Sequence, residues 1–382
     1  MKALQHIRAV WNRAATTALF VANGFGFGIW AGNLPRLKEA QHLSDAGLGL
    51  MLFAVSVGAV VAMPVTGWLA TRIGPARVAA GSGLALAFVL CVPSLLPGGA
   101  ALLVGAAALG IALGTMDVAM NGHASAIETA WGAPLMSSFH AGWSLGGLAG
   151  SLAAAALAAS GAGLTYSYAL PSLLIGVLGL LGFTLRDLSS GSVGGGLALP
   201  GRAILGVAAI TALCFMAEGA VADWSGVYVR TVLGGDPAWA ATAYGFYAVA
   251  MAAGRLGGDA VVRRLGPARV VWLGSLLAAI GLALTLAAPD VAGANAGMIV
   301  IGLGLSNIVP VAFSAAGRLQ GTQGVAMAAT TGYAGFMVSP PIIGGMAELL
   351  GLRTALLLVL AGLIGMACLS RSVVSPLTAE AA

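Results

Sequence analysis

Arg72-Ile73-Gly74-Pro75-Ala76-Arg77-Val78 returns as Arg264-Leu265-Gly266-Pro267-Ala268-Arg269-Val270, displaced by about half of the 382-residue chain. Both copies sit between long apolar stretches. A basic heptad kept at matching points of two apolar halves is the sign of a parallel internal repeat. In a membrane protein such a repeat implies two helical bundles related by an axis along the membrane normal.

The composition demands a membrane. Hydrophobic residues make up 59% of the chain, charged residues 8%, and the mean hydropathy is +0.98. A soluble domain carries about 25% charged residues, and a water-exposed surface built from this chain would hold apolar patches large enough to aggregate. The 58 glycines suit helices whose backbones pack closely. The net charge of +5 comes with no basic run and no aromatic-basic interleaving, which argues against a nucleic-acid partner. Cys91, Cys214 and Cys368 fall inside apolar spans without paired spacing, so they read as small core residues, not disulfides or metal ligands. Lys2, Arg8 and Arg13 precede a first apolar span too long for a cleavable leader.

A span needs about 20 apolar residues, and twelve are expected, near 14–34, 46–70, 76–97, 101–128, 134–159, 164–185, 203–230, 238–262, 268–288, 291–317, 324–349 and 353–371. The longest polar, Gly/Ser-rich break, Arg186 to Pro200, lies at the midpoint and reads as a linker. This gives an all-α membrane protein: a six-helix bundle over 1–185, a cytoplasmic linker over 186–201 and a second six-helix bundle over 202–382. With the N-terminus inside, all of the 17 basic residues except Arg36, Lys38, Arg230 and Arg353 fall on the inner side, so both termini are expected in the cytoplasm. The two heptads then occupy equivalent inner loops.

Gly67-x-x-x-Thr71-Arg72-x-Gly74-x-x-Arg77 resembles the signature loop of the major facilitator superfamily, with Thr71 where that family usually has Asp. In the second half Arg255 and Asp259 stand at a spacing that allows pairing on one helix face. The resemblance implies that Arg72, Arg77, Arg255 and Asp259 form a conformational latch. A narrower likeness is carried by Gly114-Thr-Met-Asp117-Val-Ala-Met-Asn121, by Pro134-Leu-Met-Ser-Ser-Phe139-His140-Ala-Gly-Trp143-Ser-Leu-Gly146-Gly147, and by Glu218-Gly-Ala-Val-Ala-Asp223-Trp224-Ser225. These stretches are similar to the MosC/YbjJ-like branch of that superfamily, which is related to sugar permeases and linked by one member to rhizopine metabolism. The resemblance implies a proton-driven porter for a small polar solute.

The residues point the same way. A charge at mid-bilayer costs at least about 2.5–3.5 kcal/mol, yet Asp117 and Glu218 lie about 15 residues inside their spans, deep in the hydrocarbon. Neither has a basic partner within one turn of its own helix, and carboxyls so placed suit the loading and unloading of a proton. Asn121 shares the face of Asp117; Glu128 nears the end of that stripe and reads as a structural partner for an inner arginine, and His123 points to another helix as a packing residue. His140 is a candidate proton relay, since histidine titrates near neutral pH. Asp223 reads as an outer gate, a proton site or a partner of Arg230, and Trp224 and Trp30 as interfacial anchors. In the superfamily spans 1, 4, 7 and 10 line the cavity, and here they carry Asn23, Asp117 with Asn121, Glu218, and Asn307. Asn23, Asn121, Asn307 and Trp143 are therefore the candidate solute ligands. The loops repeat between the halves and the carboxylates do not, so specific chemistry is expected where the halves differ. Gly142, Gly146, Gly147 and Gly150 give close-packing faces, and Gly335, Pro340, Pro341, Gly344 and Gly345 are expected to interrupt span 11.

The expectation is thus a monomeric secondary transporter of a bacterial-type inner membrane. Its two bundles rock about a midplane site, with proton symport of a sugar, polyol or cyclitol-like solute coupled through Glu218 or Asp117. The alternative is a proton-driven exporter of drugs or metabolites on the same fold. An enzyme is disfavoured: there is no paired Asp-rich metal motif, no HExxH and no Gly-x-Ser-x-Gly elbow, and no cofactor is called for. No nucleotide-binding loop is present either.

Overall fold

The computed structural model describes residues 2–131, 135–185 and 202–372. All described elements are helical. In chain order they are α1 (Lys2–Ala40), α2 (Asp45–Ile73), α3 (Pro75–Val89), a single turn α4 (Val92–Leu95), α5 (Ala100–Trp131), α6 (Met136–Ala159), α7 (Leu164–Leu181), α8 (Arg202–Thr231), α9 (Pro237–Leu256), α10 (Gly258–Leu265), α11 (Pro267–Ala287), α12 (Val291–Leu305), α13 (Ile308–Leu350) and α14 (Leu352–Ser372). Ten helices among the described residues are long and apolar enough to cross a membrane. This economy of form follows from lipid, where a chain satisfies every backbone polar group only by closing its own helical bonds. The chain divides into two compact units, Met1–His42 with Ala54–Ser192, and Leu43–Phe53 with Val193–Ala382. The expected linker over 186–201 lies outside the described residues.

In the first unit α1 and α6 run parallel and nearly touch. Gly24 abuts the Trp143 carbonyl, Gly28 the Gly147 carbonyl, Gly146 the Val21 carbonyl and Gly150 the Phe25 carbonyl. The contacts advance by one turn on both helices together, which fixes a parallel pairing with no room for side chains between the backbones. Val55 against Gly110 and Ala59 against Gly114 set α2 parallel to α5 in the same way. Gly83 against Gly179, with the Cys91–Ser172 contact of 3.7 Å, makes α3 antiparallel to α7. Arg36, half-buried near the end of α1, donates to Ser167 Oγ at 2.7 Å, to Asn33 Oδ1 at 3.3 Å and to the Ala162 carbonyl. This outlying basic residue therefore ties α1 to the start of α7.

The second unit repeats that scheme. The Thr331 hydroxyl donates to the Ala208 carbonyl at 3.3 Å, Gly335 abuts the Ala212 carbonyl, and the Ser339 hydroxyl donates to the Met216 carbonyl at 3.2 Å. This stretch of α13 therefore runs parallel to α8. Gly302 beside Tyr247, with Asn307 donating to the Gly254 carbonyl at 3.0 Å, makes α12 parallel to α9. α14 runs antiparallel to α8, with Gly362 beside Met216 and Arg353 donating to the Tyr228 hydroxyl at 3.2 Å.

The structure departs from the sequence reading in where α12 and α13 divide. Spans 10 and 11 were expected as 291–317 and 324–349 with a link between them. Span 10 is borne out as Val291–Ala316, broken at Ser306–Asn307, and helical residues continue from Ile308 to Leu350, with Pro340 and Pro341 inside the second span. Those prolines do not stop the helix, because neighbouring turns and helices re-satisfy the carbonyls a proline frees. The chain direction nonetheless reverses where the link was expected. α12 is antiparallel to α11, with Gly304 on Gly274 and Gly297 on Gly281. α11 in turn is parallel to α8, since its end meets α8 through the Tyr228–Leu286 bond of 3.3 Å. The turn therefore falls between Ile308 and Thr331. Span 8, expected over 238–262, stops at Leu256 and restarts as α10 at Gly258. Trp30 and Trp224 are 1% and 0% exposed, so they are packing residues inside their units and not interfacial anchors.

A β-branched side chain cannot enter the α1–α6 seam. Gly146→Val is expected to lower the stability of the detergent-purified protein by about 1–3 kcal/mol or prevent its folding. Gly81→Val, at a helical glycine with open space around it, should leave the thermal midpoint nearly unchanged. Thermal unfolding with size-exclusion profiles compares the two.

Candidate functional site

In the first unit the close approach of α1 and α6 brings two of the expected ligands together. Trp143 Nε1 donates to Asn23 Oδ1 at 2.9 Å, and Asn23 Nδ2 donates to the Leu113 carbonyl at 3.3 Å. Asn23 is 4% exposed and thus joins α1, α5 and α6 at one point. Leu113 lies one turn before Asp117, so this junction adjoins the carboxylate on α5. The Asp117 carboxyl accepts from Asn121 Nδ2 at 3.1 Å, and that amide also donates to the Asp117 carbonyl at 2.9 Å. The indole of Trp143 tilts over Phe27, with centroids 5.6 Å apart. His140 stands edge-on to Phe20 at 5.4 Å, while Phe20 stacks on Phe139 at 5.5 Å. His123 is fully buried, as a packing residue would be. The side chain of Glu128 lies outside the described residues.

In the second unit Glu218 is half-buried on α8, with the Cys214 thiol donating to Oε1 at 3.7 Å. Arg255 of α9 lies within electrostatic range of that carboxyl and of the Tyr244 and Tyr247 hydroxyls. Tyr247 of α9 is itself within electrostatic range of Glu218 on the adjacent α8. The rings of Tyr244 and Tyr247 are 6.1 Å apart, and the buried Tyr247 hydroxyl has no hydrogen-bond partner. Arg255 Nε donates to the Ser306 carbonyl at 3.4 Å. Asn307, between α12 and α13, donates through Nδ2 to Ser306 Oγ and to the Gly254 carbonyl, each at 3.0 Å, and its Oδ1 packs against Gly258. Arg255 and Asn307 therefore converge on one break in the helices. Asn307 serves there as a clamp on the end of α9.

The expected pairing of Arg255 with Asp259 falls on a side chain outside the described residues; Arg255 lies within electrostatic range of Glu218. The signal was available, because Arg255 is itself a charge inside an apolar span, the same anomaly that singled out Glu218. Asp223 is 5% exposed and within electrostatic range of Tyr244. The proposed partner of Asp223, Arg230, donates to the Gly235 carbonyl at 3.0 Å. Of the remaining latch residues, Arg72 lies over the Trp68 ring at 4.6 Å, and Arg77 donates to the Ile73 carbonyl at 3.3 Å, closing the end of α2. Thr71 has no described side chain.

A helical membrane protein whose two units repeat the same pairings of parallel and antiparallel helices belongs to the class of two-bundle carriers. The chain matches the model of the Major Facilitator Superfamily across residues 16–335, and it belongs to that superfamily. It is 34% identical over 350 residues to an uncharacterized MFS-type transporter of Yersinia pestis, covering 90% of this chain and 91% of the relative. It is 31% identical over 358 residues to the membrane protein MosC of Rhizobium meliloti, covering 92% and 87%. Among solved structures it is similar to a bacterial homologue of the human lysosomal transporter Spinster, with a TM-score of 0.78, 15% identity and coverage of 98% and 99%. It is also similar to the nucleoside transporter NupG, with a TM-score of 0.74, 14% identity and coverage of 94% and 99%. These two likenesses concern the fold.

The bond between Asn23 and Trp143 can be weighed directly. A double-mutant cycle of Asn23→Ala and Trp143→Phe, read by thermal unfolding in detergent, should return a coupling of about 0.6–1.7 kcal/mol. Additive losses would show that the bond contributes nothing to the α1–α5–α6 junction.

Proposed function

We propose that this chain is a secondary active transporter of an inner membrane, with both termini cytoplasmic, that works as a monomer by alternating access and couples uptake of a small polar solute to proton entry. The observation that carries the coupling is Glu218 in α8 with Arg255 of α9 in electrostatic range. When Glu218 is ionised, the two charges offset one another inside an apolar span. When it takes a proton, the Arg255 charge loses that balance and its other contacts must change. A proton is thereby converted into a conformational preference, which alternating access requires. Asp117, held by Asn121, and His140 and Asp223 are secondary proton candidates. In the first unit Trp143, Asn23 and Asn121 offer the amides and the aromatic face that suit a hydroxyl-rich solute such as a sugar, polyol or cyclitol, whereas Asn307 is engaged in clamping α9. Arg72, Arg77, Arg255 and Asp259 belong to the latch that the superfamily resemblance implies.

One observation favours the exporter reading. Phe215, Phe313 and Tyr333 form an aromatic cluster in the second unit, with Phe215 6.5 Å from Phe313 and 5.8 Å from Tyr333. A greasy surface of this kind suits amphipathic drugs, and growth resistance conferred by expression would distinguish export from uptake.

A thermal-shift screen with sugars, polyols, cyclitols, nucleosides and amphipathic drugs identifies the ligand, since binding stabilises by RT ln(1 + [L]/Kd). With that ligand in proteoliposomes, Glu218→Gln should abolish accumulation driven by a pH gradient while solute exchange continues. Concentrative uptake by the variant would remove Glu218 from the coupling role.

A further inference from the structure

In the second unit a recess of about 430 Å³ opens where the first turn of α11 meets the last turn of α14. Gly266, Arg269, Trp272, Ser370 and Arg371 line it, and among the described residues no acidic side chain does. The Arg371 guanidinium lies over the Trp272 ring, 4.6 Å from its centroid. A guanidinium stacked in this way is held in place while its edge keeps N–H donors for an oxyanion. Gly266, at φ 79°, turns the chain into α11, whose first turn has no side-chain cap. Its N–H groups and the helix dipole add to the positive potential of the recess. Ser370 is spoken for, its hydroxyl donating to the Ala367 carbonyl at 2.8 Å, so the two arginines dominate the recess.

The faces above the recess say what kind of anion it suits. Arg269, Leu273, Leu277, Ile280 and Leu284 recur at helical spacing along one side of α11, and Ile280 and Leu284 are 55% and 51% exposed. On α14 Arg371 continues a stripe through Ile364 and Leu357, each 48% exposed. Each stripe is therefore apolar along its length and ends in an arginine at the recess. An inorganic anion would use the arginines alone, whereas an amphipathic anion would use arginines and stripes together.

We infer that this recess binds the phosphate headgroup of an anionic phospholipid, with the acyl chains lying along the exposed stripes of α11 and α14. Basic pockets between membrane helices suit such headgroups, and each arginine near the surface contributes roughly fivefold in affinity. The site is separate from Glu218 and Arg255 and does not depend on which solute is carried.

The test is native mass spectrometry of the full chain in detergent, titrated with phosphatidylglycerol and with phosphatidylcholine. The wild-type protein should retain phosphatidylglycerol in preference to phosphatidylcholine, a comparison that needs no variant. Arg269→Gln with Arg371→Gln should weaken phosphatidylglycerol binding by about thirtyfold and leave phosphatidylcholine unaffected. Arg263→Gln with Arg264→Gln, at the end of α10 and outside the lining, should retain the preference. Equal retention of both lipids by the wild type, or an equal loss in the Arg263 and Arg264 variant, would overturn the site. Binding of inorganic phosphate as tight as that of the lipid would reassign the recess to a free anion.

Discussion

The first unit depends on the contact of two helix backbones. Gly24, Gly28, Gly146 and Gly150 let α1 and α6 approach until carbonyls of one helix rest on glycines of the other. Between helices in lipid there is no hydrophobic drive, so such van der Waals contact and short polar bonds supply the association. Everything placed on those two helices inherits their register. The Trp143 indole reaches Asn23 because Gly24 abuts the Trp143 backbone, and Asn23 in turn reaches α5 one turn from Asp117. Chemistry on three helices is thus set by small residues that carry no chemistry of their own.

The second unit solves the same problem with other residues. α8 and α13 advance together one turn at a time, as α1 and α6 do, but Thr331 and Ser339 reach α8 carbonyls through hydroxyl bonds. The pairing scheme is conserved between the halves while the contents differ. The first unit puts an Asp117–Asn121 pair on α5, and the second puts Glu218 within electrostatic range of an arginine from another helix. Protonation of a carboxyl within electrostatic range of a guanidinium changes the balance of a whole cluster, and for that reason the proposed coupling is assigned to the second unit.

The elements legible in the sequence were those governed by local pattern. Apolar run lengths gave the spans, and the repeated heptad gave the two-fold scheme, because lipid forces both to be written in consecutive residues. The Asp117–Asn121 bond was legible from helical spacing alone. The seam of α12 and α13 was not, since the Ser306–Asn307 break is fixed by contacts with Gly254 and Gly258 far away in the chain. The electrostatic link between Arg255 and Glu218 was not legible for a related reason. Spacing on one helix relates Arg255 to Asp259, whereas its electrostatic link to Glu218 on α8 depends on tertiary packing. Trp30 and Trp224 look like interfacial residues by position and are buried by packing.

The central claim is that Glu218 exchanges a proton when solute binds. The most direct measurement is the pH change evoked by adding the identified solute to lightly buffered, detergent-purified protein, compared between wild type, Glu218→Gln and Asp117→Asn. The account predicts a proton signal in the wild type that persists in Asp117→Asn and disappears in Glu218→Gln while solute still binds. A signal that survives in Glu218→Gln would contradict it.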